Sequence, residues 1–466
     1  MIFSSGVFLV LFLPISMLVY YNPIIKSRSF KNIWLLIISL FFYAWGEPKF
    51  IFMMLLSIFI NWAGALIIDS KENDSFRKIV FILLILWNIG LFFVFKYLDF
   101  TIENINLISK SSHRLYGIAL PIGISFFTFQ IMSYVIDVYL RKIDSTKNLL
   151  HVALYVSMFP QLIAGPIVRY RDVYEEIKDR NENWEDFSYG VSRFAIGLGK
   201  KVILADLLAE LADEMFLMTN VDGGLTVMSA WIGAIAYTLQ IYFDFSGYSD
   251  MAIGLGRCFG FHYRENFNYP YIASSVTDFW RRWHISLTSW FRDYVYIPLG
   301  GNRCSKARHI FNLFVVWLLT GIWHGANWTF IVWGLIYFVI QLVEKLMLKG
   351  EALKIIGHIY TGIVFIICWV IFRSDNLLSA FTYIGKMFGK GTLFVDDISI
   401  KMLSGSWRLL LVSCICCIPW KQFGILNRID DNVLNISKQV ATIFVFLISV
   451  LTVLNGNYSP FVYFNF

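Results

Sequence analysis

A histidine stands in the middle of a long apolar stretch of this sequence. The segment Leu318–Gly334 reads LLTGIWHGANWTFIVWG, and His324 lies there between glycines, Trp323 and Asn327. Since an ionisable group is costly to bury in hydrocarbon, such a residue usually lines a cavity or a path. Imidazole titrates in the range that a general base needs, so His324 could take a hydroxyl proton during acyl transfer from a thioester to an alcohol. The alternative is a structural, hydrogen-bonded histidine.

A second histidine, His284, lies in the segment RRWHIS and could orient or assist that reaction, or serve only as a structural hydrogen-bonding group. The sequence has no GxSxG element of the kind that carries a nucleophilic serine. The chemistry expected is therefore direct transfer, in which both substrates meet at the base and no acyl-enzyme is obligatory.

Two further stretches are more polar than a membrane helix needs to be. Tyr237–Phe261 carries Gln240, Asp244, Asp250 and Arg257 in an otherwise apolar run. These side chains either line a substrate path, or Asp244 or Asp250 pairs with Arg257 to fix the helix register.

The segment Asn266–Arg308 is too polar to span a membrane and too aromatic for a free loop, which predicts interfacial amphipathic helices. Its cations could meet lipid phosphates or the phosphates of coenzyme A, which guanidinium groups bind well. Those cations are Arg281, Arg282, Arg292, Arg303, Lys306 and Arg308.

The elements that must position these residues are membrane helices. Of the 466 residues, 58% are hydrophobic and 15% are charged, so one soluble core cannot hide the apolar side chains. Apolar runs of about 17 to 25 residues predict an all-α, polytopic membrane protein with about eleven or twelve transmembrane or re-entrant helices. The runs are 5–21, 32–46, 50–68, 79–98, 116–140, 149–165, 187–215, 226–248, 310–342, 355–373, 406–420 and 437–455.

The excess of basic residues in alternate loops predicts an N-terminus outside the cell. No cleaved signal peptide is expected, because the first 25 residues carry no charge and no small-residue cleavage site follows them. The same bias explains the net charge of +7 without nucleic acid. A re-entrant turn at Gly165–Pro166 would keep the basic residues on both sides of it inside. The basic residues of the predicted cytoplasmic loops are Lys26, Arg28, Lys31, Lys71, Arg77, Lys78, Arg141, Lys142 and Lys147.

We expect one integral-membrane domain over residues 1–466, with an interfacial segment at about 266–308 and a polar insertion near 388–405. The six cysteines lack metal-ligand spacing and are expected to be packing residues. We expect no metal site and no bound cofactor.

Long and unusual motifs run nearly from end to end of the chain. Through them the sequence closely resembles the membrane-bound O-acyltransferase family, in its bacterial branch of alginate O-acetylation membrane subunits. The motifs are FYAWGEPKF (42–50), LPIGISFFTFQIMSYVIDVY (120–139), FPQLIAGPIVRY (159–170), YTLQIYFDFSGYSDMAIGLG (237–256), TDFWRRWHISLTSWFRDYVYIPLGGNR (277–303), TGIWHGANWTFIVWG (320–334), WVIFR (369–373) and the terminal FVYFNF.

The resemblance implies a ring of helices around a central funnel in the bacterial plasma membrane, with His324 as catalytic residue and His284 as the family's second histidine. It implies acetyl-coenzyme A as donor, an extracytoplasmic polysaccharide as acceptor, and a secreted or membrane-anchored partner of the SGNH hydrolase type. We place Trp323, Asn327, Asp244, Gln240, Arg281, Arg282 and Arg292 along the donor path. Some relatives transfer D-alanyl groups from a carrier protein, so a D-alanyl carrier is a second possible donor. Two functions of other classes are the alternatives, a polysaccharide-export channel and a nonenzymatic scaffold.

Overall fold

The computed structural model describes residues 1–24, 26–221, 224–347, 353–420, 422–424 and 430–456. Over these residues the regular secondary structure is helical and contains no strand, which confirms the all-α prediction. The terminal motif FVYFNF lies outside the described residues.

The chain divides into two compact units. The first holds residues 1–194 and 249–264, and the second holds residues 195–248 and those from 265 onward. The helices up to residue 199 are α1 (Leu13–Tyr20), α2 (Arg28–Gly46), α3 (Phe50–Ser70), α4 (Asp74–Phe92), α5 (Leu98–Ser109), α6 (Ile124–Tyr139), α7 (Leu149–Ser157), α8 (Phe159–Leu162), α9 (Tyr170–Lys178) and α10 (Trp184–Gly199).

The remaining helices include the elements that carry the two histidines. Between α10 and α11 lies a π-helical segment, Lys200–Ala205. The helices are α11 (Asp206–Leu217), α12 (Val227–Cys258), α13 (Val276–Arg282), α14 (Ile285–Phe291), α15 (Lys306–His324), α16 (Trp328–Met347), α17 (Leu353–Arg373), α18 (Leu377–Met387), α19 (Asp397–Cys416) and α20 (Asp431–Leu454).

Short polar side chains set several helix starts. The Ser305 hydroxyl accepts from the Arg308 backbone N–H at the start of α15, and Asn73, Asn376 and Asp430 cap α4, α18 and α20 in the same way. Asp396 forms a capping box with Ser399 at the start of α19. A helix therefore starts at residue 397, inside the region predicted as a polar insertion over 388–405, and that insertion is shorter than predicted.

Seven described helical segments are long and apolar enough to cross a membrane, by length and composition. Two predicted spans are only partly helical: the helix expected over 116–140 begins at Ile124, and the one expected over 149–165 ends at Ser157, before the short helix α8. The seven segments are Arg28–Gly46, Phe50–Ser70, Asp74–Ser109, Trp328–Lys345, Ile356–Arg373, Asp397–Cys416 and Asp431–Leu454.

The predicted run 310–342 is two antiparallel helices, α15 and α16, which meet at glycines. A Cβ atom placed on Gly321 would lie 2.6 Å from the Phe330 carbonyl oxygen, and one placed on Gly334 would lie 2.5 Å from the Trp317 carbonyl oxygen. Real Cβ atoms do not come this close to backbone, so these two positions require glycine. Close backbone approach at small residues is how membrane helices gain packing energy.

This contact predicts that Gly334→Ala disrupts the hairpin. Overpacking a well-packed contact costs about 1–3 kcal/mol, and we expect a lower midpoint in thermal unfolding of the detergent-solubilised protein. The matched control is Gly362→Ala on α17, where an added Cβ would meet nothing within 4 Å. An equal unfolding midpoint for both variants would contradict the role given to the glycine contact.

Candidate functional site

His324 is the last residue of α15, because the next residue, Gly325, has extended backbone and ends the helix. Its side chain is 3% exposed and is enclosed by aromatic rings. The imidazole centroid lies 5.0 Å from the Trp323 ring, 5.0 Å from the Trp333 ring and 5.1 Å from the Phe372 ring, all edge-on. A base in such surroundings is shielded from bulk water.

His284 lies between the two short helices α13 and α14, with a left-handed backbone (φ 45°) and no exposed surface. Its Nδ1 is 3.2 Å from Asn266 Oδ1, which also accepts from the Ser286 backbone N–H and hydroxyl. Because a backbone N–H must donate, the Asn266 atom is the carbonyl oxygen, and Nδ1 of His284 must carry a proton. Burial lowers the pKa of His284 to about 3, so the neutral ring keeps its lone pair on Nε2.

One indole contacts both histidines. The Trp323 ring centroid is 5.7 Å from that of His284 and 5.0 Å from that of His324. The His284 ring also contacts the Phe245 ring of α12, with 4.7 Å between the ring centroids. The structure thus brings together His284, His324 and Trp323, which the sequence predicted as site residues without predicting their proximity.

A cavity of about 390 Å³ approaches this pair of histidines. Exposed arginines, Arg281 and Arg292, line its open end, and the buried Trp317 and Thr320 line its inner end. Thr320 lies one helical turn before His324 on α15. The Trp333 ring stands between the cavity wall and the imidazole, 5.6 Å from Trp280 and 5.0 Å from His324.

A second cavity of about 550 Å³ shares Thr277, Arg281, Tyr296, Leu313 and Gln341 with the first, so the two cavities are adjacent. Here Lys345 Nζ lies 2.9 Å from His309 Nε2, and Tyr296 Oη lies 3.0 Å from the same nitrogen. This end of the cavity is rich in hydrogen-bond donors.

Glu344 holds the cavity wall in place. It is 8% exposed, and its carboxylate accepts from the backbone N–H of Val276 (2.6 Å) and from the backbone N–H (3.1 Å) and hydroxyl (3.0 Å) of Thr277. It thereby anchors the first turn of α13, the helix that carries Trp280 and Arg281, to α16.

Three predicted residues have side-chain partners other than the histidines. Arg282 pairs with Asp278 at 3.0 Å, and Arg292 pairs with its neighbour Asp293 at 2.7 Å. The Asn327 side chain accepts from the Thr329 backbone N–H and donates to the Asp375 carbonyl at 2.8 Å, so it organises the start of α16.

The acidic residues of α12 are held by cations other than Arg257. Asp244 pairs with Lys201 at 3.0 Å, and Lys201 also binds Asp206 at 2.7 Å. Gln240 is buried one turn before Asp244. The predicted alternative of an Asp244–Arg257 or Asp250–Arg257 pair is wrong, because oppositely charged partners come from neighbouring helices: Arg193 binds Asp250 at 2.7 Å, and Asp186 binds Arg257 at 2.5 Å.

Among the described residues no three His, Cys, Asp or Glu side chains are placed to hold a metal ion, and the six cysteines are unbridged.

Sequence reasoning missed Asn266, Trp333 and Glu344. Trp333 lies in the motif TGIWHGANWTFIVWG and Asn266 begins the polar segment Asn266–Arg308, but nothing in their spacing reveals that they meet His324 and His284. Glu344 gave a usable signal, since it is a lone carboxylate at the end of an apolar helix.

We expect Glu344→Ala to loosen α13 because it leaves the buried Val276 N–H and the partly buried Thr277 N–H without their acceptor. The free energy of unfolding should fall by about 1–3 kcal/mol, and Glu344→Gln, which keeps one carbonyl acceptor, should fall between Ala and wild type. Thermal unfolding in detergent measures this order. The matched control is Glu210→Ala, an exposed carboxylate of α11. Equal midpoints for the Ala variants at positions 344 and 210 would contradict the anchoring role.

Comparisons with known proteins cover the part of the chain that contains this site. Positions 140–377, which include both histidines, match the model of the membrane-bound O-acyltransferase family. A probable alginate O-acetylase of Pseudomonas aeruginosa is 42% identical over 413 residues, covering 87% of this chain and 78% of that protein. The peptidoglycan O-acetyltransferase of Helicobacter pylori is 36% identical over 93% of this chain and 85% of its own length. The teichoic acid D-alanyltransferase of Bacillus subtilis is 29% identical over 47% of this chain and 58% of its own length.

Proposed function

This chain belongs to the membrane-bound O-acyltransferase family, and we propose that it moves acetyl groups from acetyl-coenzyme A toward hydroxyls of an extracytoplasmic polysaccharide. The observation that carries the proposal is the position of His324, one helical turn beyond the inner end of a cavity whose open end carries arginines. The activities named for the bacterial relatives, acetylation of alginate and of peptidoglycan, support acetyl as the transferred group and a polysaccharide as the acceptor.

The two adjacent cavities together suit an acyl-coenzyme A. Phosphates would meet Arg281, Lys345 and His309 at the polar end, since guanidinium and ammonium groups bind phosphate oxygens. The thioester arm would follow the apolar wall past Trp317 toward Thr320. A shift of the Trp333 ring would then bring the acyl carbon to His324.

At the imidazole the reaction is a direct transfer. A His324 nitrogen takes the proton of the acceptor hydroxyl while the oxygen of that hydroxyl attacks the thioester carbonyl carbon. The carbon–sulfur bond breaks, the acetyl group remains on oxygen, and the proton passes to the departing thiolate. His284 is neutral and has a fixed tautomer, so we assign it no proton transfer. It positions the Trp323 ring, which in turn contacts His324.

For the cellular setting we propose a multi-pass protein of the bacterial plasma membrane with its N-terminus outside. The support is the excess of Lys and Arg in alternate loops of the sequence. On the outer side of the membrane we expect an SGNH-type partner that carries the acetyl group onward.

A second donor has one observation in its favour, the similarity to a teichoic acid D-alanyltransferase. In that case a carrier protein would deliver D-alanyl groups to the same histidine. The higher identity and wider coverage of the O-acetylating relatives favour acetyl.

The test of the function is acetyl transfer from labelled acetyl-coenzyme A by the purified protein in nanodiscs, with a polysaccharide acceptor. His324→Ala lacks the general base and should therefore be about 10²–10⁴-fold slower than wild type. His113→Ala, an exposed loop histidine, is the matched control and should keep the wild-type rate. Turnover of D-alanyl carrier but not of acetyl-coenzyme A would select the second donor, and full activity of His324→Ala would remove the proposed mechanism.

The donor path predicts a separate effect at the open end of the cavity. We expect Arg281→Gln to raise the KM for acetyl-coenzyme A by about tenfold, the value of one lost charge-assisted phosphate contact, with kcat little changed. Arg303→Gln, an exposed arginine of the same interfacial segment that does not line either cavity, is the control. Initial rates at varied donor concentration measure both, and an unchanged KM for Arg281→Gln would place the donor elsewhere.

A further inference from the structure

A third cavity lies within the first compact unit. It has a volume of about 700 Å³, larger than either of the two cavities described above. The end of α1, the turn that follows it and the start of α10 supply its lining residues. The proposed acetyl transfer gives this cavity no role.

The walls of this cavity are mostly apolar, and the cavity opens at the protein surface. Leu18, Ile24 and Trp184 line it and are 72%, 87% and 80% exposed. The rings of Tyr21 and Phe187 also line it and pack edge-on, with 5.5 Å between their centroids. Adjacent exposed apolar side chains of this kind mark a surface that binds a membrane or another molecule.

The position of the cavity along the chain places it at the surface of the bilayer. The turn after α1 leads into α2, which begins at Arg28 and is long and apolar enough to span a membrane. A turn that ends where a span begins lies at the level of the lipid headgroups. Tyr and Trp side chains, here Tyr21 and Trp184, are enriched at that level. The occupant of the cavity should therefore have both a headgroup and an apolar chain.

A cluster of cations lies beside one wall of the cavity. Glu182 lines this wall, and its Oε1 is 2.5 Å from Arg28 Nη1, 3.3 Å from Lys31 Nζ and 3.8 Å from Arg180 Nε. Burial favours the protonated form of Glu182, but hydrogen bonds from Arg28 and Tyr20 outweigh burial and lower the pKa of this carboxyl to about 2. One negative charge therefore meets three positive charges, and the cluster has two positive charges in excess.

Lys31 is the cation of this cluster that is best placed to meet a ligand. Its ammonium nitrogen lies 3.3 Å from Glu182 and 5.8 Å from the centroid of the Tyr21 ring, and both of these residues line the cavity. The Lys31 side chain is 15% exposed, and the ammonium has three protons to donate. A phosphate oxygen at this wall would find a charged donor.

We infer that this cavity binds one anionic phospholipid of the surrounding membrane, with the phosphate beside Lys31 and Arg28 and an acyl chain along Leu18, Ile24 and Trp184. The excess positive charge selects an anionic headgroup over a zwitterionic one, as in basic pockets between membrane helices. The apolar walls select a lipid over a soluble phosphate. The inference is independent of the proposed acetyl transfer, because it uses none of the residues of that site.

The experiment is native mass spectrometry of the purified full-length protein in detergent, titrated with phosphatidylglycerol or with phosphatidylcholine of the same acyl chains. Wild type should hold one phosphatidylglycerol about tenfold more tightly than phosphatidylcholine, the value of one charge-assisted contact. Lys31→Gln should remove most of that preference, because it loses the charge. Trp184→Ser should weaken the binding of both lipids by about tenfold and keep the preference, because it removes apolar wall and no charge.

Two matched controls should bind both lipids as wild type does. They are Lys71→Gln, an exposed lysine of another loop, and Trp45→Ser, an exposed tryptophan at the other end of α2. Size-exclusion profiles identify any variant that fails to fold. Because Trp184 is largely exposed, its replacement tests the cavity even if the change at Lys31 impairs folding.

Three results would overturn the inference. The first is equal Kd values of wild type for the two lipids, or an unchanged preference in Lys31→Gln. The second is displacement of the bound lipid by inorganic phosphate, which would assign the site to a soluble anion. The third is a dimer that Trp184→Ser separates into monomers, which would identify the cavity as an interface between two copies of the chain.

Discussion

The close approach of α15 and α16 at Gly321 and Gly334 is the contact on which the site depends. It allows the backbones to meet where a Cβ atom would collide with a carbonyl oxygen. That spacing places Trp333 of α16 against His324 of α15 and leaves a cavity beside Thr320. Because packed aromatic rings resist compression and loss of contact alike, the imidazole has a defined position at the end of its helix.

The second constraint is the cost of polar groups in an apolar interior. The strongly buried carboxylates of α12 are held by cations, as in the pair of Asp244 with Lys201. The histidines follow a different rule, since His284 is kept neutral by burial and His324 is enclosed by rings. Charge that develops on a reacting oxygen would be poorly screened there, and interactions with it would be strong.

Much of the fold followed from hydropathy, because a helix is the main structure that satisfies its own backbone in hydrocarbon. His324 was identified as a site residue because burying an ionisable group in an apolar stretch is costly, and both histidines were identified through the motifs that contain them. Their shared contact with Trp323 was not, since it depends on a left-handed turn at His284 and on the end of α15 at Gly325. The alternative that paired Arg257 with Asp244 or Asp250 was wrong for a related reason: the carboxylate that binds Arg257 comes from another helix, which spacing within one segment cannot reveal.

The most direct measurement is a cryo-electron microscopy structure of the protein with a nonhydrolysable acetyl-coenzyme A analogue. We predict that the phosphates lie beside Arg281 and Lys345 and that the thioester arm follows Trp317. The acyl carbon should lie close enough to the His324 imidazole for one acceptor hydroxyl to contact both. An analogue bound outside these cavities, with its acyl group remote from His324, would contradict the account.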